Sequence, residues 1–197
     1  MGQTIVCYGA SNTYGYDPRS FLGEQYPPQV RWTDQLMQLR PEREVWNLGE
    51  NGREIPRRPW EFQALEKSLR RAAPVDALLV MLGDNDLLKM TPPRAEVVSQ
   101  RMGAFLAWLQ EGGGPWGASM RIVLTASPPM CRGAWVQEEA LMEESRRLGE
   151  YYRTLAEQRG VAFANSGAWG VERTFDGVHF SPQGHRAFAQ GMDRVLR

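Results

Sequence analysis

The chain has 197 residues, of which 42% are hydrophobic and 23% charged, proportions typical of a soluble globular protein. This length suits one domain with a sizeable core better than two, so we expect a single domain over residues 1–197. The formal net charge is zero, which argues against nucleic acid or an anionic membrane surface as a partner. No apolar stretch approaches the ~20 residues that span a bilayer. The first residues lack the pattern of a signal peptide, so we expect a cytoplasmic protein.

Cysteine and histidine are scarce in this sequence. The two cysteines, Cys7 and Cys131, have neither the spacing of a disulfide framework nor that of metal ligands. We therefore predict no metal site, and no motif indicates a cofactor. Because His179 and His185 are the two histidines of the chain, a mechanism that moves a proton near neutral pH must use one of them.

Short apolar runs predict five buried strands, separated for the most part by segments with helical periodicity. The predicted strands are Thr4–Tyr8, Val45–Leu48, Ala77–Leu82, Ile122–Thr125 and Val161–Ala164. Apolar strands that alternate with helices favour a parallel sheet covered on both faces. We therefore expect an α/β fold, a three-layer α/β/α sandwich with a flavodoxin-like, doubly wound parallel sheet of about five strands.

Helices are predicted where apolar residues recur every three or four positions. The predicted buried faces are Trp32, Leu36 and Leu39; then Phe62, Leu65, Leu69 and Ala72; then Val98, Met102, Phe105 and Leu109; a long amphipathic stretch at 137–159; and finally Phe188, Met192 and Val195. The last helix is predicted to begin with Ser181 as N-cap and Pro182 at the first helical position.

Polar segments follow the predicted strands at the end where parallel sheets bind ligands. They are GASN after the first strand, NLGENG after the second, LGDNDL after the third and DGVHFSPQGH after the last. Because carboxyl ends of parallel strands share one edge, we expect these four segments to lie together.

The side chains in these segments are those that acyl transfer to a serine requires. Ser11 can be the nucleophile, His179 the base, and Asp176 the carboxylate that orients the base. The backbone N–H groups of Ser11 and Gly49, with the side-chain amide of Asn85, can form an oxyanion hole.

In this order the segments resemble the sequence blocks of the SGNH (GDSL-type) hydrolase superfamily. Ser11 matches the nucleophile of block I, Gly49 the glycine of block II, and Asn85 the asparagine of block III, while Asp176 and His179 match the D-x-x-H of block V. The blocks run from residue 9 to residue 179 and cover most of the chain. The stretches YGASNTYGY, VRWTDQL and VMLGDND are most similar to the small bacterial arylesterase/acyltransferase branch. That resemblance implies a serine esterase for small-molecule short-chain acyl (acetyl or aryl) esters, possible acyl transfer to alcohols, and a possible homo-oligomer.

Two positions depart from the pattern of the superfamily. Ala10 stands where block I has an aspartate, and Asp84 stands where block III has threonine or another neutral residue. We hypothesise that Asp84 takes over part of the structural role that Ala10 cannot perform.

Several of these residues also have a purely structural interpretation. Ser11 could be the N-cap of the helix after the first strand, and Gly49 and Asn85 could be turn residues. We favour His179 over His185 as the base because His185 falls inside the last helix. Asp86 is expected to anchor the Asn85 loop through backbone N–H groups. Outer loops are expected to cover Asp176.

The aromatic residues divide into predicted core and predicted pocket positions. Trp32, Trp46 and Trp108 are expected in the core. Trp116 and Trp135 lie in later loops and could line an acyl pocket, as could Tyr14 or Tyr16.

Three other functions compete with an esterase. A metal-dependent phosphoesterase is suggested by the carboxylates of GDND, although such sites recruit more histidines than this chain has. A nucleotide-binding module is disfavoured because no P-loop or dinucleotide-binding motif is present. A non-catalytic relative that binds an acylated ligand is the third, suggested by Ala10.

Overall fold

The structure, a computed structural model, describes residues 2–20, 22–111 and 120–197. Its centre is a five-stranded sheet of order β2-β1-β3-β4-β5 in which every neighbouring pair is parallel. The strands are β1 (Gln3–Gly9), β2 (Arg43–Gly49), β3 (Ala77–Met81), β4 (Arg121–Ala126) and β5 (Ala162–Asn165). All five predicted strands are confirmed, with ends that differ from the prediction by at most two residues.

Helices cover both faces of the sheet. They are α1 (Ser11–Tyr14), α2 (Trp32–Leu39), α3 (Pro59–Ala72), α4 (Asp84–Leu88), α5 (Ala95–Glu111), α6 (Glu139–Arg159) and α7 (Pro182–Val195), with a 3-10 turn at Ser166–Ala168. The α/β fold with a doubly wound parallel sheet is therefore confirmed. None of the helices in the described residues is long and apolar enough to cross a membrane.

Alternate side chains of β1 fill the two cores of the sandwich. Val6 and Tyr8 point into the core shared with α3, α5 and α6, whereas Ile5 and Cys7 point into the core shared with α2 and α7. This two-sided burial explains why the strands read as continuous apolar runs rather than as alternating ones.

Most of the predicted helical faces are buried, and the start of α7 is as expected. The Ser181 hydroxyl accepts a hydrogen bond from the Gly184 N–H at 3.0 Å, and Pro182 is the first helical residue. The prediction for Leu39 is wrong, because this last residue of α2 is 45% exposed.

Trp32 is fully buried, as predicted, whereas Trp46 and Trp108 are only partly buried against the core.

The order of the strands creates the crevice that positions the functional side chains. The chain runs from β1 to β2 on one side and then returns to β3 on the other side of β1. At this switch point the loops after β1 and β3 separate, which leaves space at the carboxyl edge of the sheet.

Candidate active site

Ser11 is the first residue of α1 and lies at the carboxyl end of β1. Ala10 occupies the N-cap position, and the Ser11 side chain makes no capping bond to the helix. Instead, Ser11 Oγ lies 2.9 Å from His179 Nε2. The alternative that Ser11 serves only as a helix cap is therefore wrong for this structure.

His179 lies in the loop before α7 and is oriented by the carboxylate three residues earlier. Its Nδ1 is 2.7 Å from Asp176 Oδ2. The other carboxylate oxygen of Asp176 accepts bonds from the backbone N–H groups of Val178 and His179 and from the Thr174 hydroxyl, at 2.8 to 2.9 Å. These three bonds hold the Asp176 carboxylate in place independently of its contact with the imidazole.

The environment of Asp176 keeps it ionised although it is completely buried. Burial by itself would raise the pKa of Asp176, but the hydrogen bonds from His179 and Val178 outweigh it and hold that pKa well below its usual range. An anionic carboxylate on Nδ1 is what an imidazole needs in order to receive a proton at Nε2.

The loop after β4 covers the carboxylate, as the sequence led us to expect. The Trp135 N–H donates to the Asp176 carbonyl at 3.0 Å, and the Cys131 N–H donates to the Gly177 carbonyl at 3.1 Å. Gly177 has φ of 84°, and a Cβ there would lie 2.1 Å from the Cys131 carbonyl oxygen. Only glycine permits this approach of the two loops.

Two aromatic rings flank the imidazole. The ring centroid of Tyr16 is 4.7 Å from that of His179, and the ring of Trp135 approaches edge-on at 5.1 Å. Trp135 is 54% exposed, so it forms the outer rim of the site. Tyr14 lies on the other side of the loop, beside Asn47 and Gly49. Trp116 lies outside the described residues.

A buried asparagine that the sequence did not single out supports the histidine loop. Asn12 Nδ2 donates to the Val178 carbonyl at 3.1 Å, and the Phe180 N–H donates to Asn12 Oδ1 at 2.9 Å. Nothing in one sequence separates such a residue from an ordinary turn asparagine, because its partners are more than 160 positions away.

Asn85 lines the same cavity as Ser11. One N–H of its side chain donates to the Arg53 carbonyl at 2.9 Å. An amide has two N–H donors, and the second is not used by this bond.

The N–H of Gly49, which we predicted as an oxyanion donor, is engaged by a neighbouring side chain, and its role in the oxyanion hole stays a prediction. Its N–H donates to Asn47 Oδ1 at 2.8 Å, and a Cβ at this position would lie 2.0 Å from the Tyr14 nitrogen. What the structure shows for Gly49 is thus close packing of β2 against α1.

Asp86 anchors the Asn85 loop. Its carboxylate accepts from the Ile55 N–H at 2.9 Å, which is the kind of backbone bond we predicted, and it also pairs with Arg101 at 3.0 Å. Burial raises the pKa of Asp86, and these two bonds oppose that effect.

Asp84 and Ala10, the two departures from the superfamily pattern, line one cavity with Ser11. Burial raises the pKa of Asp84, an effect that the charge of Arg173 and a hydrogen bond with Ser127 oppose. The two positions are therefore neighbours, as the compensation hypothesis requires. The compensation itself stays a prediction.

His185 contacts core residues rather than the Ser11 side chain. It is buried within α7, where its Nδ1 accepts the Trp32 N–H at 3.4 Å and its ring packs edge-on against Tyr26 and Phe180.

In the described residues, no three His, Cys, Asp or Glu side chains are grouped so as to hold a metal ion. Cys7 is buried and Cys131 exposed, and both thiols are free.

Comparison with known proteins gives a consistent result for the family. The aryl esterase of M. smegmatis is 25% identical, with a TM-score of 0.86 over 100% of this chain and 99% of that one. A carbohydrate acetylesterase family member from Sinorhizobium meliloti is 27% identical, with a TM-score of 0.83 over 99% of this chain and 97% of that one. A search of curated proteins gives no match. The model of the GDSL-like lipase/acylhydrolase family matches residues 7–187, in agreement with the SGNH resemblance of the sequence, and the chain therefore belongs to that family.

Proposed function

We propose that the protein is a serine esterase that hydrolyses short-chain acyl esters through an acyl-serine intermediate. The observation that supports this most directly is the unbroken line of hydrogen bonds from Ser11 Oγ through the His179 ring to Asp176. The family match and the esterases among the similar structures support ester hydrolysis as the general reaction.

In the proposed reaction, Ser11 Oγ attacks the ester carbonyl carbon while His179 Nε2 takes the hydroxyl proton. Asp176 holds Nδ1 protonated and stabilises the imidazolium that forms. When the tetrahedral intermediate collapses, the C–O bond to the alcohol breaks and His179 returns the proton to the departing oxygen. Water, deprotonated by the same imidazole, then hydrolyses the acyl-serine.

The negative charge on the carbonyl oxygen needs N–H donors that are already in place. We assign the Ser11 N–H and the second N–H of the Asn85 amide to this role. Gly49 can contribute only if its N–H leaves Asn47 Oδ1. Gly52, next to the Arg53 carbonyl that Asn85 bonds, is a candidate that requires no such exchange, because its N–H donates to no acceptor in the described part of the chain.

The substrates we favour are acetyl esters and aryl esters of short acids. The names of the similar structures, an aryl esterase and a carbohydrate acetylesterase family member, fit this class. An alcohol that reaches the acyl-serine in place of water would give acyl transfer by the same steps.

The decisive test is covalent labelling combined with substitution of the nucleophile. Phenylmethylsulfonyl fluoride should modify Ser11, as located by peptide mass spectrometry, and should abolish hydrolysis of p-nitrophenyl acetate. Ser11→Ala should lower kcat by about 10³-fold or more. Ser68→Ala, at a serine on α3 away from the site, should have wild-type rates. If folded Ser11→Ala turned over the ester at the wild-type rate, Ser11 would not be the nucleophile and the proposal would be refuted.

A metal-dependent phosphoesterase makes the opposite prediction on chelation. Incubation with EDTA should leave the esterase rate unchanged. Loss of that rate, with recovery on adding a divalent cation, would favour the metal enzyme instead.

A further inference from the structure

A narrow cavity adjoins Ser11 and the Asn85 amide, and its dimensions bear on the acyl group. We call it the acyl cavity; it is lined by Ala10, Ser11, Asn12, Met81, Leu82, Asp84, Asn85, Ser127 and Val178. The volume open to the centres of water molecules is about 10 Å³, which is near the smallest space that holds one water. A methyl group is of similar size.

Asp84 contributes the charged wall of this cavity. It is the first residue of α4, and it lines the cavity together with Ser127. Because α4 fixes its backbone, its side chain limits the length of the group that fits beside Ser11.

Arg173, which is partly buried, places a positive charge near Asp84. The charge of Arg173 acts on Asp84, and its guanidinium donates to the Val178 carbonyl at 2.6 Å and to the Pro128 carbonyl. The guanidinium carbon Cζ of Arg173 also lies 5.1 Å from the ring centre of Phe180. These contacts fix the position of the Arg173 guanidinium, whose charge opposes the effect of burial on the pKa of Asp84.

The histidine side of the nucleophile is bordered by two aromatic rings. Tyr16 and Trp135 flank the imidazole that must protonate the departing alcohol, and Trp135 is largely exposed. We place the alcohol portion of the ester on the histidine side because His179 must protonate the departing oxygen, which leaves the acyl cavity for the acid portion.

We propose that Asp84 is a specificity-determining residue whose carboxylate closes the acyl cavity and restricts the acid portion of the ester to acetyl. This inference rests on the proposed serine-esterase function. The acetyl methyl group takes the space of one water, while each further methylene meets the Asp84 carboxylate. Selection should accordingly be strict for acyl length and broad for the alcohol.

The test compares kcat/KM for p-nitrophenyl acetate, propionate and butyrate. Asp84→Ala shortens the wall and should raise the butyrate-to-acetate ratio of kcat/KM about tenfold or more, the usual effect of a methylene or two in a pocket. The isosteric Asp84→Asn should stay within about threefold of the wild-type ratio, since it keeps the size of the wall. An unchanged ratio in folded Asp84→Ala, or an equal rise in Asp84→Asn, would overturn the proposal.

Asp84→Ala removes one of the acidic groups near Arg173, so the folding of this variant is to be checked by circular dichroism and thermal melting. If it does not fold, Ser127→Ala gives a second test, because it removes a hydroxyl that lines the same cavity as Asp84. It should raise the same ratio at least threefold, and no change would count against the proposal.

The result separates this inference from the function on which it depends. Activity retained by Ser11→Ala defeats the esterase proposal whatever the ratios are. An inactive Ser11→Ala combined with unchanged ratios in the Asp84 and Ser127 variants defeats the acyl cavity alone.

Discussion

The side chain of Asn12 bonds the main chain on both sides of His179. It donates to the carbonyl of the preceding residue at 3.1 Å and accepts from the N–H of the following residue at 2.9 Å. Asn12 is also the neighbour of Ser11 in α1. One side chain thus ties the loop that carries the base to the helix that carries the nucleophile.

Asn12→Ala should therefore disturb the base without touching the substrate. We expect kcat for p-nitrophenyl acetate to fall about 10- to 100-fold with KM little changed, since displacements near 1 Å have effects of this size. Loss of two buried bonds should also lower the free energy of unfolding by about 2 kcal/mol. Asn51→Ala, an exposed loop asparagine, is the matched control. A folded Asn12→Ala with the wild-type kcat would show that the loop is held by other contacts.

Asn85→Ala should remove a donor to the oxyanion. Because such donors act mainly in the transition state, kcat should fall by about 10²- to 10³-fold with a small change in KM. Asn85→Asp keeps the shape but exchanges the N–H donors for acceptors, and it should be at least as slow. If KM instead rose by as large a factor as kcat fell, Asn85 would also contribute to binding of the substrate before the reaction.

Asp193 in α7 joins three arginines, and its removal should cost stability rather than activity. It pairs with Arg43 at 2.7 Å, Arg197 at 2.8 Å and Arg40 at 3.3 Å, and both Arg43 and Asp193 are buried. Asp193→Asn should lower the free energy of unfolding by about 3 kcal/mol, because it leaves the Arg43 charge buried without its partner. Glu66→Gln, which breaks an exposed pair with Arg70, should change it by less than about 1 kcal/mol.

The same carboxylate should contribute to acid sensitivity. Burial raises its pKa, but the bonds from Arg197, Arg43 and Arg40 outweigh this and lower the pKa of Asp193 to about 2. A pKa depressed on folding stabilises the protein above the unfolded value and loses that contribution as the pH falls through the folded value. Between pH 4 and pH 2, urea unfolding should therefore show a smaller loss of stability in Asp193→Asn than in the wild type.

His185 should give a second pH dependence, in a higher window. Burial, followed by the charges of His179 and Arg31, lowers the pKa of His185 to about 3. Since the unfolded chain takes up a proton near pH 6.5 and the folded one does not, stability should decline as the pH falls from 6.5 towards 3. Between pH 7 and pH 5 this group accounts for about 2 kcal/mol.

The measurement is urea unfolding of wild type and His185→Gln at both pH values. The glutamine variant should show a difference between the two pH values that is smaller by about this amount. Equal differences in the two proteins would mean that another buried group is responsible.

The sequence by itself determined the elements and the edge at which the chemistry collects. Two-sided burial makes each strand of a parallel sheet a continuous apolar run, so the ends of β1 to β5 could be predicted to within two residues. The carboxyl ends of such strands share one edge, which is why Ser11, Asn85, Asp176 and His179 could be expected together. Ser181 and Pro182 marked the start of α7 because capping is local.

Only the tertiary structure decided which atoms within that edge meet. The bonds of Asn12 to the loop around His179, the close packing of Gly49 against Tyr14, and the position of Asp84 in the acyl cavity all depend on how loops pack. Leu39 shows the same limit. Helical periodicity predicted that it is buried, but α2 ends at this residue and its side chain is exposed at the surface. Periodicity and capping report on neighbours along the chain. Contacts between residues more than a hundred positions apart exist only once the layers have assembled.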